Sequence, residues 1–279
     1  MPVNVKEITI AHSPDSDDAF MFYALAKGKL DTKGLKVNQV LKDIQTLNRE
    51  ALAGTYEVTA ISFGAYPKLK DKYFLMPCGS SMGDNYGPIV VAKPGITRDD
   101  LQKLTIAIPG RETTAYLALR LWNPGLNVVE VPFEQIIDKV VSGQVDAGLL
   151  IHEGQLTYKD NGLEKLVDLG VWWHEETGLP LPLGGNAIRK DLGKEAITEI
   201  TALFKAAVMY ALEHREDALA YAMSFARDMK KDVADKYVGM YVNELTVDSG
   251  DKGREAVVKL FAEAHAKGIL SELIVPEFV

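Results

Sequence analysis

The eleven residues from Val145 to Gln155 constrain this chain more than any other stretch. Val145-Asp146-Ala147-Gly148-Leu149-Leu150-Ile151 is a run of short, mostly apolar residues that ends abruptly in His152-Glu153-Gly154-Gln155. A buried parallel strand reads this way where it leaves its sheet and enters a loop. Such a strand needs sheet neighbours on both sides and helices over both faces, which makes the chain an α/β protein. His152 then stands at the carboxyl end of a strand, the edge where ligands bind in open α/β sheets. It is a candidate for chemistry, the alternative being a histidine that only hydrogen-bonds its own loop.

The same rhythm recurs along the chain. Strands are expected at residues 5–12, 35–41, 57–62, 88–95, 104–108 and 128–131, and helices at 19–25, 44–52, 115–122 and 133–141. Residues 66–75 read as helical or irregular, and the breaker-rich residues 76–88 as a loop. Gln155 to Lys159 continues as helix, and the apolar, Pro- and Gly-rich residues 177–188 return to a short strand. From Lys194 onward the pattern is purely helical, over 197–212, 215–226, 230–240 and 252–267. The strand near 88–95 and the segment 177–188 are read as two crossings between domains. Residues 1–91 with 189–279 then form a discontinuous α/β domain, and 92–188 an inserted α/β domain, with a cleft at the hinge between them.

Several strand exits are polar and would look into that cleft. After the first strand comes Ser13-Pro14-Asp15-Ser16-Asp17-Asp18, with three aspartates in four positions. Capping of the following helix accounts for most of this motif, but three acids exceed what a cap requires, leaving part of the cluster for the cleft. The third strand exits at Ser62. Pro109-Gly110-Arg111-Glu112-Thr113-Thr114 opens a helix with free amides and two hydroxyls, an anion site for a carboxylate or phosphate if it is not simply a threonine cap. It is not a P-loop, because the lysine and the glycine spacing are missing. His174, among acids, is a surface or cleft-rim group, and His214 and His265 are explained by solvent-facing helix positions.

The totals exclude some classes of function. A formal net charge of −8 offers no basic face for nucleic acid. No run of apolar residues is long enough for a membrane-spanning helix. Residues 1–10 contain Lys6 and Glu7 and lack the apolar core of a secretory signal. The single cysteine, Cys78, has no disulfide partner within the chain and reads as a packed thiol. A cytoplasmic globular protein is the expectation, although a processed periplasmic one would look similar. Oligomeric state is not legible.

The motifs His12-Ser13-Pro14-Asp15-Ser16-Asp17-Asp18-Ala19-Phe20-Met21-Phe22, Ile61-Ser62-Phe63-Gly64-Ala65-Tyr66, Gly83-Asp84-Asn85-Tyr86-Gly87-Pro88, Thr113-Thr114-Ala115 and Leu150-Ile151-His152-Glu153-Gly154-Gln155 resemble those of the 1,4-dihydroxy-6-naphthoate synthases of the futalosine route to menaquinone. The resemblance runs from about Val5 to Asn186; the C-terminal helices match only in character. It implies a two-domain, type II periplasmic-binding-protein-like fold used as an enzyme. The implied reaction converts cyclic dehypoxanthinylfutalosine to 1,4-dihydroxy-6-naphthoate and dihydroxyacetone, with no organic cofactor and no metal. By the same resemblance His152 is the proton-abstracting base, while Ala60, Ile61, Ser62, Thr114 and Ala115 contact substrate. Thr113 joins them at the helix opening, and Asp15, Asp17, Asn85, Glu153 and Asn186 are further candidates for the cleft. Ser16 stands where alanine is expected in many relatives.

The physics agrees with that reading. An aromatic carboxylate needs an anion site, and deprotonating a polarised carbon needs a base of near-neutral pKa, which imidazole supplies. Glu153 could hold the imidazole tautomer or point away. Two other readings stay open. One is a chorismate-dehydratase-like enzyme of the same route, and the other is a small-molecule binding protein that needs the anion site but no base at residue 152.

Overall fold

The computed structural model describes residues 5–225 and 230–279. Two sheets organise it. In the first, β2 (Lys36–Leu41), β1 (Glu7–His12), β3 (Val58–Ser62), β11 (Leu181–Arg189) and β4 (Tyr73–Leu75) lie side by side in that order, with β5 (Ser81–Gly83) paired to the other end of β11. In the second the order is β10 (Glu164–Asp168), β6 (Ile89–Ala92), β9 (Ala147–Leu150), β7 (Thr105–Ile108) and β8 (Asn127–Glu130). β1 runs parallel to both β2 and β3, and β7 runs parallel to both β8 and β9. β6 and β11 run antiparallel to their neighbours. Central position explains composition: all five residues of β3 and all four of β9 are buried.

Helices α1 (Ser16–Ala26), α7 (Lys194–Glu213), α8 (Arg215–Ala222) and α9 (Lys231–Tyr241) share one apolar cluster with β1, built on Phe20, Phe22, Phe204 and Val238. A larger cluster runs through both sheets, from Ile61 and Tyr66 to Val90, Ile106 and Trp173. Local chemistry sets the helix bounds. Asp43 caps α2 (Ile44–Ala53) by accepting from the Thr46 amide, and Gly54 ends it in the left-handed conformation, φ 73°. Asp168 caps α6 (Leu169–Thr177) the same way, accepting from Gly170 and Val171.

Strand pairing differs from the expected boundaries at 91/92 and 188/189, which fall inside β6 and at the end of β11. Backbone hydrogen bonds tie residues 89–92 to the second sheet and 181–189 to the first, so the chain passes between sheets at 84–88 and 178–180. Apolar composition reads alike on either side of these passages. The first passage is also tightly packed. A Cβ on Gly170 would stand 1.9 Å from the Tyr86 carbonyl oxygen, so only glycine lets α6 approach it. Residues 76–88, expected as loop, contain β5, and residues 66–75 contain β4 after a 3-10 turn over Phe63–Lys68. The end of the helix expected at 215–226 lies outside the described residues. Among the described residues no helix is long and apolar enough to cross a membrane.

Candidate active site

Between the sheets lies a cleft lined from both sides, the kind of concave place where a small molecule binds. The first sheet and its helices line it with Asp17, with Ala60, Ile61 and Ser62 at the exit of β3, and with Gly184, Gly185 and Asn186 on β11. From the second come His152, Gln155 and the start of α3 (Thr114–Trp122), namely Thr113, Thr114 and Ala115. Nine of the expected positions therefore meet there: Asp17, Ala60, Ile61, Ser62, Thr113, Thr114, Ala115, His152 and Asn186. Asp15, Asn85 and Glu153 are not on the cavity wall. Asn85 sits in the first passage between sheets at φ 64°.

β9 ends at Leu150, and two residues on the chain turns sharply into α5 (Gly154–Thr157). His152 makes that turn at φ 54°, a left-handed conformation costing about 1–3 kcal/mol for a residue with a Cβ. Its Nδ1 lies 3.1 Å from Oδ2 of Asp15, the residue preceding α1 in the other lobe, and its ring packs on Phe133 at 4.7 Å. Nε2 is buried and has no hydrogen-bond partner among the described residues. A carboxylate at Nδ1 favours the tautomer with hydrogen there, which leaves the lone pair on Nε2.

Glu153, considered for holding the imidazole, does not do so. Its Oε1 accepts from the Ser16 hydroxyl at 2.9 Å, and Asp15 takes the place by the ring. Gln155 accepts from the Tyr241 hydroxyl at 2.8 Å. His152, Glu153 and Gln155 thus each grip a residue of the opposite lobe.

The early aspartates divide by role. Asp18 accepts from the Ser13 amide at 2.8 Å, while Asp15, at the cap position, makes no side-chain capping bond and faces His152 instead. Asp17 is 8% exposed, and its Oδ1 has no hydrogen-bond partner among the described residues. Burial first, then repulsion from Asp18, Asp15 and Glu153, holds its carboxyl well above the usual carboxylate range. Asn186 donates to the Gly79 carbonyl at 2.9 Å and leaves its own Oδ1 unbonded. Asp17, His152 and Asn186 thus line one cavity, each with a buried polar atom that has no partner among the described residues, which marks a place built for a polar ligand.

The threonines correct an expectation. Thr113 donates to the Gly110 carbonyl and accepts from the Tyr116 amide. Thr114 accepts from the Gly64 amide at 3.0 Å and donates to the Leu183 carbonyl. Both hydroxyls are committed to the protein, so an anion would be met by the helix amides of Thr114 and Ala115, which have no acceptor within the helix. Ser62 is likewise fixed, its amide donating to Asn48 at 2.8 Å and its hydroxyl accepting from Asn48 at 3.1 Å. His12, at the first strand exit, is held by the Ser13 carbonyl and stacked on Phe22, away from the cavity. His174 also lies off the cavity, 3.3 Å from Asp84. Cys78 is buried, which pushes its thiol up to about 12.

Sequence reading missed Tyr237 and Tyr241, which α9 brings to the cavity wall. Their spacing of four on one helix was the available signal.

The chain matches the family model described as "Menaquinone biosynthesis" over residues 8–266. It is 41% identical over 275 residues to a 1,4-dihydroxy-6-naphthoate synthase of Thermus thermophilus, covering 99% of this chain and 100% of that one. A crystal structure of an Archaeoglobus fulgidus protein superposes with TM-score 0.92 at 47% identity, covering 96% of this chain and 100% of that chain. The alkanesulfonate-binding protein of Xanthomonas axonopodis pv. citri, solved bound to MOPS, superposes with TM-score 0.72 at 10% identity, covering 96% of both chains, a likeness of fold alone. The two-lobed architecture is thus that of the periplasmic binding proteins, and the chain belongs to the menaquinone biosynthesis family.

Proposed function

We propose that this protein is a 1,4-dihydroxy-6-naphthoate synthase, a lyase that splits cyclic dehypoxanthinylfutalosine into 1,4-dihydroxy-6-naphthoate and dihydroxyacetone. One observation of the site carries the chemistry: His152 is on the cavity wall with a buried Nε2 that has no hydrogen-bond partner among the described residues, while Asp15 occupies Nδ1. An imidazole so held has its lone pair ready for a proton on carbon. The substrate carboxylate is placed at the Thr114 and Ala115 amides, where the helix dipole favours negative charge. Asp15 serves as a positioning residue for the base, and Asn186 offers Oδ1 to a substrate hydroxyl. A cytoplasmic location belongs to this reading, in keeping with a lone buried cysteine.

Supplying the cyclic substrate to purified protein should yield the naphthoate and dihydroxyacetone in equal amounts. Absence of naphthoate under conditions where the Thermus thermophilus enzyme produces it would reject the proposal.

A further inference from the structure

Four carboxylates crowd the mouth between α1 and α5, and three of them have work: Asp15 sits by His152, Asp18 accepts from the Ser13 amide, and Glu153 accepts from the Ser16 hydroxyl. Asp17 is different. It lines the cavity, is 8% exposed, and presents a buried Oδ1 with no hydrogen-bond partner among the described residues.

We propose that Asp17 is the proton donor of the reaction, delivering hydrogen to the substrate carbonyl oxygen that gains negative charge when His152 removes a proton from the neighbouring carbon. The inference rests on the activity proposed above and adds a second catalytic residue to it. The groups acting on Asp17 leave it little choice of charge. Asp18 follows it on α1, Asp15 stands just before that helix, Glu153 approaches from the other lobe, and the phenols of Tyr237 and Tyr241 face it from α9. Both phenols are themselves held protonated, chiefly by burial. The amide of Asp18 acts the other way, but burial and three carboxylates outweigh it. A neutral carboxylic acid whose Oδ1 lacks a partner among the described residues keeps a hydrogen-bonding atom for a ligand.

The proton balance closes without an added reagent. The C–H pair moves into a new carbon–carbon double bond as Nε2 takes the proton. The π pair of the neighbouring carbonyl moves onto its oxygen, which takes the proton of Asp17, so the step ends in an enol with its carbon–oxygen bond kept; the carbon–carbon bond to the three-carbon fragment breaks in a later step. The carbon that loses hydrogen is formally oxidised by as much as its carbonyl neighbour is reduced, so no outside oxidant or reductant is needed, and exchange with water returns the imidazolium and the Asp17 carboxylate to their starting forms. An acid and a base on opposite lobes, each with a buried atom unbonded among the described residues, are the arrangement that such an enolisation needs.

The test is the pH profile of Asp17→Asn, which keeps shape and hydrogen bonding but cannot release a proton. In the wild type kcat should fall on the alkaline side as Asp17 ionises. In D17N kcat should drop about 100-fold, the alkaline limb should vanish, and affinity for the naphthoate product should persist. Asp17→Ser should lose the same limb, so the reading does not depend on one variant folding. Glu153→Gln, which removes one repelling carboxylate, should move the limb to lower pH. A D17N enzyme as fast as wild type, or a slower one with its alkaline limb intact, overturns the inference alone. A wild-type protein that makes no naphthoate overturns the proposed activity and this inference with it.

Discussion

β7 and β9 are neighbours in one sheet and end at the same cleft, yet their exits are built to opposite rules. After β7, every side-chain oxygen of Thr113 and Thr114 is satisfied within the protein, and Gly64 fits so closely that a Cβ there would stand 3.0 Å from the Thr113 carbonyl oxygen. After β9, His152 takes a strained left-handed backbone and keeps a buried nitrogen unbonded. The first exit is a finished wall that can only hold a ligand with its backbone. The second withholds its own satisfaction until a ligand or the opposite lobe provides it, which is what a reacting group requires. Stability is thus concentrated at one exit and reactivity at the other.

That contrast breaks if changes at the two exits have the same kind of effect. The largest is expected at the β9 exit, where His152→Asn should cut kcat by about 10³-fold with melting temperature and product affinity little changed. A variant retaining full turnover would remove His152 from the chemistry. Asp15→Asn comes next, a loss of about 10²-fold in kcat, because an amide no longer favours hydrogen on Nδ1; kcat equal to wild type would show that the ring orients itself. At the β7 exit the cost should be stability. Thr114→Val strands the Gly64 amide and the Leu183 carbonyl and should cost about 2 kcal/mol, read as a lowered melting temperature. Turnover lost without loss of stability would contradict the division.

Two smaller effects sharpen the comparison. Burial and neighbouring carboxylates raise the Asp17 pKa above its unfolded value, so the folded chain holds that proton more tightly. Its contribution to stability is complete below the unfolded pKa and declines as pH rises beyond it. D17N should therefore melt higher than wild type at pH 8, by about 2–4 °C per kcal/mol relieved, and the gap should close near pH 3. An equal gap at both pH values would show that ionisation is not the cause. Tyr241→Phe removes the hydroxyl bond to Gln155 and should raise KM about fivefold, the worth of one hydrogen bond, leaving kcat nearly unchanged. A fall in kcat alone would place that phenol nearer the chemistry.

Much of this was readable along the chain because it is local. A buried strand ending in His152, a threonine cap at Thr113 and an excess of acid after the first strand all follow from the spacing of apolar and polar residues, since periodicity and capping act within a few positions. The alternation of strands with helices likewise determined an α/β protein. Tertiary structure alone decided the rest. Which sheet owns 89–92 and 181–189 depends on backbone pairing with distant strands, and composition there is equally apolar for either. Glu153 reaches Ser16 across 137 positions of chain, and Asp15 and not Glu153 meets the imidazole, because lobe packing sets which carboxylate stands within hydrogen-bond reach. Adjacency in sequence says nothing of that distance. Nor could it reveal that Oδ1 of Asp17 is left without a hydrogen-bond partner among the described residues, a property of the whole surrounding surface and of no single segment.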